Sequence, residues 1–197
     1  MAYSEFTIAQ VRKKFSLTIQ PISLFEKITP QPLPKWLQEM LEHTGSMAFV
    51  SEKARSEFLI APILLALTTF HPNHLAVYSG QRLDVDKEQG LVGECDFILT
   101  KTPSLPVLES PIITLVEAKK NDVEVGIGQC IAQMVGASLF NREAGYEHPI
   151  FGCVTTGETW QFLKLDGNTI FFDQNRYYLN EVDVILGILE SIVASFA

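Results

Sequence analysis

The sequence predicts an α/β fold in which helices flank a mixed central β-sheet. Two kinds of segment alternate along its 197 residues: stretches with helical spacing of apolar residues, and short β-branched or aromatic runs bounded by turn residues. The composition, 47% hydrophobic and 19% charged, is that of a globular protein able to bury one sizeable core. We therefore expect a single domain over residues 1–197.

Residues 1–50 are predicted to form a helical extension of this domain. The runs ISLFEKI, residues 22–28, and PKWLQEMLEH, residues 34–43, have the apolar spacing of short helices. A longer helix is expected over residues 51–70, because a serine at its start is a good N-cap and the following segment is long and apolar. Pro62 should kink this helix, since proline removes a backbone donor and its ring crowds the preceding turn.

The middle of the chain is predicted to contain three strands and one long helix. Residues 75–86, 91–100 and 111–120 alternate in polarity or are rich in β-branched and aromatic residues, and the first two should pair antiparallel. A helix is expected over about residues 122–144, where apolar residues recur at helical spacing. These positions are Ile127, Ile131, Met134, Val135 and Leu139.

The last part of the chain is predicted to add three strands and a final helix. The strands are residues 149–157, 159–167 and 168–179, joined by tight turns that contain glycine. Residues 180–197 have the pattern of an amphipathic C-terminal helix. Together with the earlier elements, this order favours an α/β sheet protein.

Charge, cysteine content and hydropathy limit the classes of function. The net charge of −8 argues against a protein that coats nucleic acid by bulk electrostatics, although a local basic groove stays compatible with it. Three separated cysteines without CxxC pairing indicate neither a disulfide framework nor a zinc site. The longest apolar runs, residues 58–70 and 184–197, are too short for a bilayer or interrupted by Glu190, so we expect a cytoplasmic protein without membrane contact. The basic residues to consider near a phosphate backbone are Lys120, Arg82 and Arg142.

The candidate functional residues lie where two predicted strands end. The run ITLVEAKK, residues 113–120, places an acid and a base at the end of an apolar strand. Because side chains alternate between the faces of a strand, Ile113, Glu117 and Lys119 should share one face, with the last two about 7 Å apart along it. The preceding strand contributes Asp96, which is also flanked by apolar residues.

These residues predict a metal site. A carboxylate inside a core is costly unless it is paired or binds a cation. The carboxylates of Asp96 and Glu117, with the carbonyl of Ala118, form an all-oxygen set that suits Mg²⁺ or Mn²⁺. Lys119 could orient an activated water or stabilise charge that develops on a phosphate, which is phosphodiester hydrolysis. The alternative is that Glu117 and Lys119 form only a solvated ion pair.

The order Asp96, then Glu117-Ala118-Lys119, resembles the D…ExK signature of the PD-(D/E)XK nuclease superfamily. This superfamily includes restriction endonucleases, resolvases and the N-terminal nuclease domain of type I restriction R subunits. The resemblance covers about residues 51–165 and implies a restriction endonuclease-like fold. It also implies a Mg²⁺-dependent nuclease acting on nucleic acid, with DNA as the substrate.

The resemblance further implies supporting roles for residues on the two neighbouring helices. Glu57 matches the acid that often precedes the core strands, and Gln129, with its helical neighbour Gln133, matches the glutamine that often follows them. Other interpretations stay open. Glu57 could instead form an ion pair with Lys53 or Arg55, and glutamines on helix surfaces are ordinary.

A second function keeps the fold without the chemistry. The chain could be a catalytically inactive nuclease-fold module for binding or assembly in a restriction, repair or transposition system, and the acidic balance favours this alternative. A plain structural domain in which the acids pair with lysines is a third interpretation. A homodimer or a partner subunit is compatible with each of them. Metal binding separates the nuclease from both alternatives.

Overall fold

Eight strands form one mixed sheet between two layers of helices in the computed structural model, which describes residues 1–196. The sheet order is β1-β7-β6-β5-β4-β3-β2, with β8 also beside β6. The β1–β7 and β4–β5 pairs are parallel, and the other pairs are antiparallel. The strands are β1 (Thr18–Ile22), β2 (Ala76–Arg82), β3 (Glu94–Thr100), β4 (Ile112–Ala118), β5 (Ile150–Thr155), β6 (Thr159–Asp166), β7 (Thr169–Asp173) and β8 (Tyr177–Tyr178). This confirms the predicted α/β architecture.

The helices divide between the two faces of the sheet. They are α1 (Ile8–Phe15), α2 (Lys35–Thr44), α3 (Glu52–Arg55), α4 (Ala61–Phe70), α5 (Val123–Glu143) and α6 (Val182–Ala194). An apolar cluster under α1 and α5 covers one face, and a second cluster under α2, α4 and α6 covers the other. The central strands β4 and β5 are therefore buried on both sides, and every residue in them is buried.

The helix predicted over about residues 122–144 is present as α5, and it lies directly against β4 and β5. Close approach requires small residues, because a Cβ at Gly152 of β5 would overlap the side chain of Met134. By length and composition α5 could cross a membrane, but 67% of its most apolar window is buried inside the protein. It is a core helix, which is consistent with a soluble protein.

The predicted helix over residues 22–28 is wrong. Strand β1 ends at Ile22, and residues 23–34 contain neither helix nor strand. The backbone of β1, which includes the first residue of the predicted helix, pairs with β7 about 150 residues away along the chain, and local spacing carries no information about such a partner. The apolar residues that resembled a helical stripe are instead partly buried by tertiary contacts, as Phe25 is against Phe162.

The predicted strand over residues 168–179 is two strands, β7 and β8. The buried carboxylate of Asp173 accepts hydrogen bonds from the backbone N–H of Asn175 at 3.1 Å and from the Tyr177 hydroxyl at 3.0 Å. These bonds turn the chain, so that β8 pairs with the start of β6. At this bend the Asp173 carboxylate accepts hydrogen bonds in place of a neighbouring strand.

The predicted helix over residues 51–70 is present as α3, a π-helical turn at Ser56–Ile60 and α4 in direct succession. Ser51 caps it as expected, because its hydroxyl accepts the backbone N–H of Ala54 at 3.0 Å. The distortion expected from Pro62 takes the form of the wider turn just before it.

The N-terminal segment contributes side chains to the core. Tyr3, Phe6 and Val11 are buried in the cluster under α5. Their approach is close, because a Cβ at Gly128 would overlap the backbone at Phe6 and one at Gly136 would overlap the Tyr3 hydroxyl. The interior under α5 is thus built partly from the first helix and the residues that precede it.

Candidate active site

The ends of β3 and β4 bring the predicted acids together. These strands are antiparallel with Phe97 opposite Val116, which sets Asp96 beside the last residues of β4. Asp96 Oδ2 accepts a hydrogen bond from the backbone N–H of Ala118 at 2.7 Å. The Asp96 side chain therefore closes the gap between the strands beyond their last paired residues.

Glu117 is the buried centre of the site. Its side chain is 1% exposed, and each carboxylate oxygen has a partner. Lys119 Nζ lies 2.5 Å from Oε1, and Gln133 Nε2 on α5 donates to Oε2 at 2.8 Å. The structure thus brings together four of the predicted side chains, those of Asp96, Glu117, Lys119 and Gln133.

Burial and like charge perturb the acids. Burial, followed by the negative charge of Asp96, raises the pKa of Glu117 to about 7, although Lys119 and Gln133 oppose the shift. Burial also raises the pKa of Asp96. For Lys119, burial disfavours the charged form, but Glu117, Glu52 and Asp96 together outweigh burial and the pKa of Lys119 is raised. The ionised form of each carboxyl is therefore disfavoured in this environment, mainly because the groups are buried.

Lys119 is positioned by β5 and α5. It follows the last residue of β4, and its backbone N–H donates to the Thr155 carbonyl at 2.8 Å. Its side chain is 17% exposed and runs along Gly126 at the start of α5, where a Cβ would lie 3.0 Å from Lys119 Cε. The absence of a side chain at Gly126 leaves the space through which Lys119 reaches Glu117.

The expectation that Ile113 shares a face with Glu117 is wrong. Ile113 lies in the cluster under α4 and α6, whereas Glu117 faces α5. The pairing of β3 with β4 is irregular between Leu99 and Thr100, where Ile113 is the extra residue. A bulge of this kind turns the following side chains to the opposite face, which strict alternation cannot anticipate.

An acidic groove of about 320 Å³ opens beside Asp96. Glu57 lines it, but the Glu57 carboxylate is 54% exposed and lies 3.5 Å from Lys53 Nζ, as the alternative interpretation allowed. Glu57 is therefore near Asp96 without joining the cluster at Glu117, which does not line the groove. The acids that line it are Glu52, Glu57, Glu94 and Asp96.

Of the two predicted glutamines, only Gln133 contacts the acid. Gln129 lies one turn earlier on α5 and is half-buried, whereas Gln133 is fully buried. Within residues 1–196 the Oε1 atom of Gln133 has no hydrogen-bond partner. The amide is thus oriented by its donation to Glu117 alone.

Sequence reasoning missed Glu52. Its negative charge acts on both Asp96 and Lys119 from α3. Arg55 holds α3 in place by donating to the Thr156 carbonyl at 2.9 Å, next to the β5–β6 turn. A contact between segments about 100 residues apart leaves no local signal in the sequence.

Of the other three basic residues, one is already paired, one lies away from the buried pair and one is next to the site in sequence. Arg82 forms an exposed ion pair with Asp84 at 2.9 Å. Arg142 lies at the far end of α5, where the neighbouring Asn141 bonds to Ile112 at the start of β4. Lys120 is exposed and adjacent to the site in sequence.

The donor set fits a hard divalent cation in type and charge. Within residues 1–196, no group of three or more His, Cys, Asp or Glu side chains is close enough to hold a metal ion. Two carboxylates and a backbone carbonyl can still hold Mg²⁺, which commonly keeps several waters. Burial is the main cause of the raised pKa values of Asp96 and Glu117, and a bound cation would lower both by stabilising the charged carboxylates. Lys119 occupies one oxygen of Glu117, so a cation there would take its place.

Comparison with known proteins assigns no family. No protein-family model matches the sequence, and no curated protein matches it closely. The PD-(D/E)XK resemblance therefore rests on Asp96, Glu117 and Lys119 and on the strands that carry them.

Proposed function

We propose that this protein is a Mg²⁺-dependent nuclease of the PD-(D/E)XK type that hydrolyses phosphodiester bonds in nucleic acid, with DNA as the substrate. The observation that carries the proposal is the contact of buried Glu117 with Lys119 and Gln133 beside Asp96. A buried ion pair is weak as a stabilising device, and replacing one with apolar residues is often neutral or favourable. A functional role explains its presence at a strand end better than stability does.

The side chains divide the chemistry between them. Asp96, Glu117 and the carbonyl of Ala118 would hold Mg²⁺ or Mn²⁺. The bound ion supplies a water of lowered pKa and positive charge beside the phosphate. Lys119 Nζ would stabilise negative charge on a phosphate oxygen, while Gln133 holds the Glu117 carboxylate in one orientation by donating to Oε2.

Two residues would act at the margin of this site. Glu57 lines the acidic groove and is free to reorient, because its ion pair with Lys53 is exposed. Gln129 is half-buried and lies one turn before Gln133, which is the residue that donates to Glu117. Both therefore have supporting roles at most.

A second candidate is the catalytically inactive binding or assembly module. The observation that favours it is that both carboxylate oxygens of Glu117 already have protein partners. With either function we propose a cytoplasmic location, since Cys95, Cys130 and Cys153 are all free and buried. Either function is compatible with a homodimer or with a partner subunit.

The test is calorimetric titration with Mn²⁺ combined with a plasmid-nicking assay in Mg²⁺. The variants are Asp96→Asn, Glu117→Gln and Lys119→Ala, with Glu143→Gln as a control because that exposed acid lies at the opposite end of α5. We expect the parent and the control to bind Mn²⁺ and to nick DNA. The two acid variants should bind at least about tenfold more weakly and lose nicking.

Lys119→Ala separates the nuclease from a simple cation site. Since Lys119 is not a ligand, this variant should still bind Mn²⁺ but should not nick. Circular dichroism spectra of all variants establish that they are folded. If the parent binds no Mn²⁺, or if both acid variants bind it unchanged, the metal-dependent nuclease is excluded and the assembly module replaces it.

A further inference from the structure

An apolar groove adjoins the acidic groove. It has a volume of about 390 Å³ and lies where α2 and α4 meet the edge of the sheet. Glu57, Ser79 and Phe97 line both grooves, so the two form one continuous depression. Its remaining lining is Trp36, Met40, Ala61, Pro62, Leu65 and Val77.

Two large apolar side chains in this groove are exposed. Trp36 is 38% exposed and Leu65 is 56% exposed, whereas the other tryptophan, Trp160, is fully buried. Lys35 on α2 and Lys53 on α3 are exposed, but each already forms an ion pair with an acid one turn further along the chain. The groove therefore offers an aromatic surface next to the carboxylates.

We propose that this groove binds the base of an unpaired nucleotide next to the scissile phosphate. The inference rests on the proposed nuclease function and names its substrate class as single-stranded nucleic acid. Exposed aromatic side chains stack on bases of any sequence, because every base has an apolar face. In a duplex those faces are stacked on neighbouring bases, so only an unpaired nucleotide can present one to Trp36.

The two parts of the depression match the two chemical parts of a nucleotide. A nucleotide joins a flat apolar base to a charged phosphate, as the depression joins an apolar groove to Asp96, one of the carboxylates proposed to hold the cation. The net charge of −8 leaves little bulk attraction for either form of nucleic acid, so the binding energy would have to come from stacking on Trp36, which an unpaired base can provide. A docked protein helix would cover the apolar part but leave the acidic part unexplained.

The experiment measures binding in EDTA, where metal-dependent cleavage is prevented. The full chain is titrated with a fluorescein-labelled thymidine oligonucleotide, with the same oligonucleotide carrying abasic positions, and with a duplex of equal length. The variants are Trp36→Ala and Trp36→Phe. Tyr146→Ala is the matched control, since this tyrosine is 39% exposed just beyond the far end of α5.

We expect the single strand to bind at least about tenfold more tightly than the duplex and the abasic strand. Trp36→Ala should weaken this binding about tenfold, while Trp36→Phe, which keeps an aromatic face, should retain most of it. Tryptophan emission of the parent should fall on binding, because Trp36 is the exposed tryptophan. Tyr146→Ala should behave as the parent does.

Equal or tighter binding of the duplex, or unchanged binding by Trp36→Ala, would overturn the inference. If Trp36→Ala leaves oligonucleotide binding unchanged but abolishes self-association in sedimentation runs, the groove is instead a protein interface. The outcome is separable from that of the nuclease test. Loss of Mn²⁺ binding or nicking leaves the EDTA measurement intact, and a failure of stacking leaves metal binding and cleavage intact.

Discussion

At the scale of single residues, the site combines one fully buried acid with partners that only partly compensate its charge. Glu117 has a lysine and an amide as partners, yet burial and Asp96 still raise its pKa to about 7. Asp96, Glu117 and Lys119 could be predicted because strand register and spacing bring them together. The choice between Gln129 and Gln133 could not, since residues four apart share a helix face and only the seating of α5 decides between them.

The first prediction concerns the pH dependence of stability. The folded-state pKa of Glu117 is raised from 4.5 to about 7, so its favourable contribution is full below pH 4.5 and is lost as the pH rises through 7. The shift corresponds to at most ~3 kcal/mol of unfolding free energy. Glu117→Gln, which cannot ionise, should lose less stability than the parent between pH 5 and pH 8 in urea denaturation.

The control for this prediction is Glu143→Gln, which removes an exposed acid at the end of α5. It should keep the parent's decline in stability from pH 5 to pH 8. Parallel pH profiles for the parent and Glu117→Gln would show that the buried carboxyl does not titrate in this range.

The second prediction distinguishes the two glutamines. The hydrogen bond from Gln133 lowers the pKa of Glu117, so Gln133→Leu should raise that pKa further. Gln129→Leu should leave it unchanged, because the bond to Glu117 comes from Gln133. The measurement is NMR titration of ¹³C-labelled glutamate carboxyl groups, with the Glu117 signal assigned from Glu117→Gln. A shift in Gln129→Leu instead would reverse the assignment of the two residues.

At the scale of elements, α5 and β4 determine the site together. Helix α5 could be predicted from its long apolar periodicity, and β4 from its β-branched run. The bulge at Ile113 and the strand β1 could not, because each depends on a partner strand distant in sequence. Glycine at position 126 is the point where the two elements meet, since Lys119 passes there on its way to Glu117.

The third prediction tests this meeting point. In Gly126→Ala the new Cβ would lie 2.7 Å from Val154 Cγ1 and 3.0 Å from Lys119 Cε, so Val154 must shift and the lysine must also give way slightly. We expect a net loss of about 1–2 kcal/mol in unfolding free energy, even though alanine favours the helix. Urea denaturation measures the loss. Val125→Ala, a change at a side chain 73% exposed on the same turn, is the control and should be nearly neutral.

A gain in stability for Gly126→Ala would show that Lys119 adjusts without cost. The pKa of Glu117 then provides a second readout. If Lys119 is displaced, the lysine no longer lowers that pKa, and the Glu117 carboxyl should titrate at higher pH in the variant than in the parent.

At the scale of the whole molecule, the sheet, the two apolar clusters and the site are parts of one interior. The layers could be predicted because the order of helices and strands in the sequence already specifies an α/β arrangement. The role of residues 1–17 in the core could not be predicted. Their burial depends on glycines 128 and 136 of α5. A glycine in a helix indicates that another segment packs closely there, but it does not indicate which segment.

The last prediction decides whether the N-terminal segment is an extension or part of the core. Phe6 is 4% exposed under α5, so Phe6→Ala should lower the unfolding free energy by about 3–5 kcal/mol. Val50→Ala, at a side chain 74% exposed, should be nearly neutral. Helix α5 carries Gln133, which donates to the proposed metal ligand Glu117. Phe6→Ala should therefore also bind Mn²⁺ more weakly than the parent near its unfolding transition. A near-neutral Phe6→Ala would mean that the segment around Phe6 is an addition to the core, as the sequence predicts for residues 1–50.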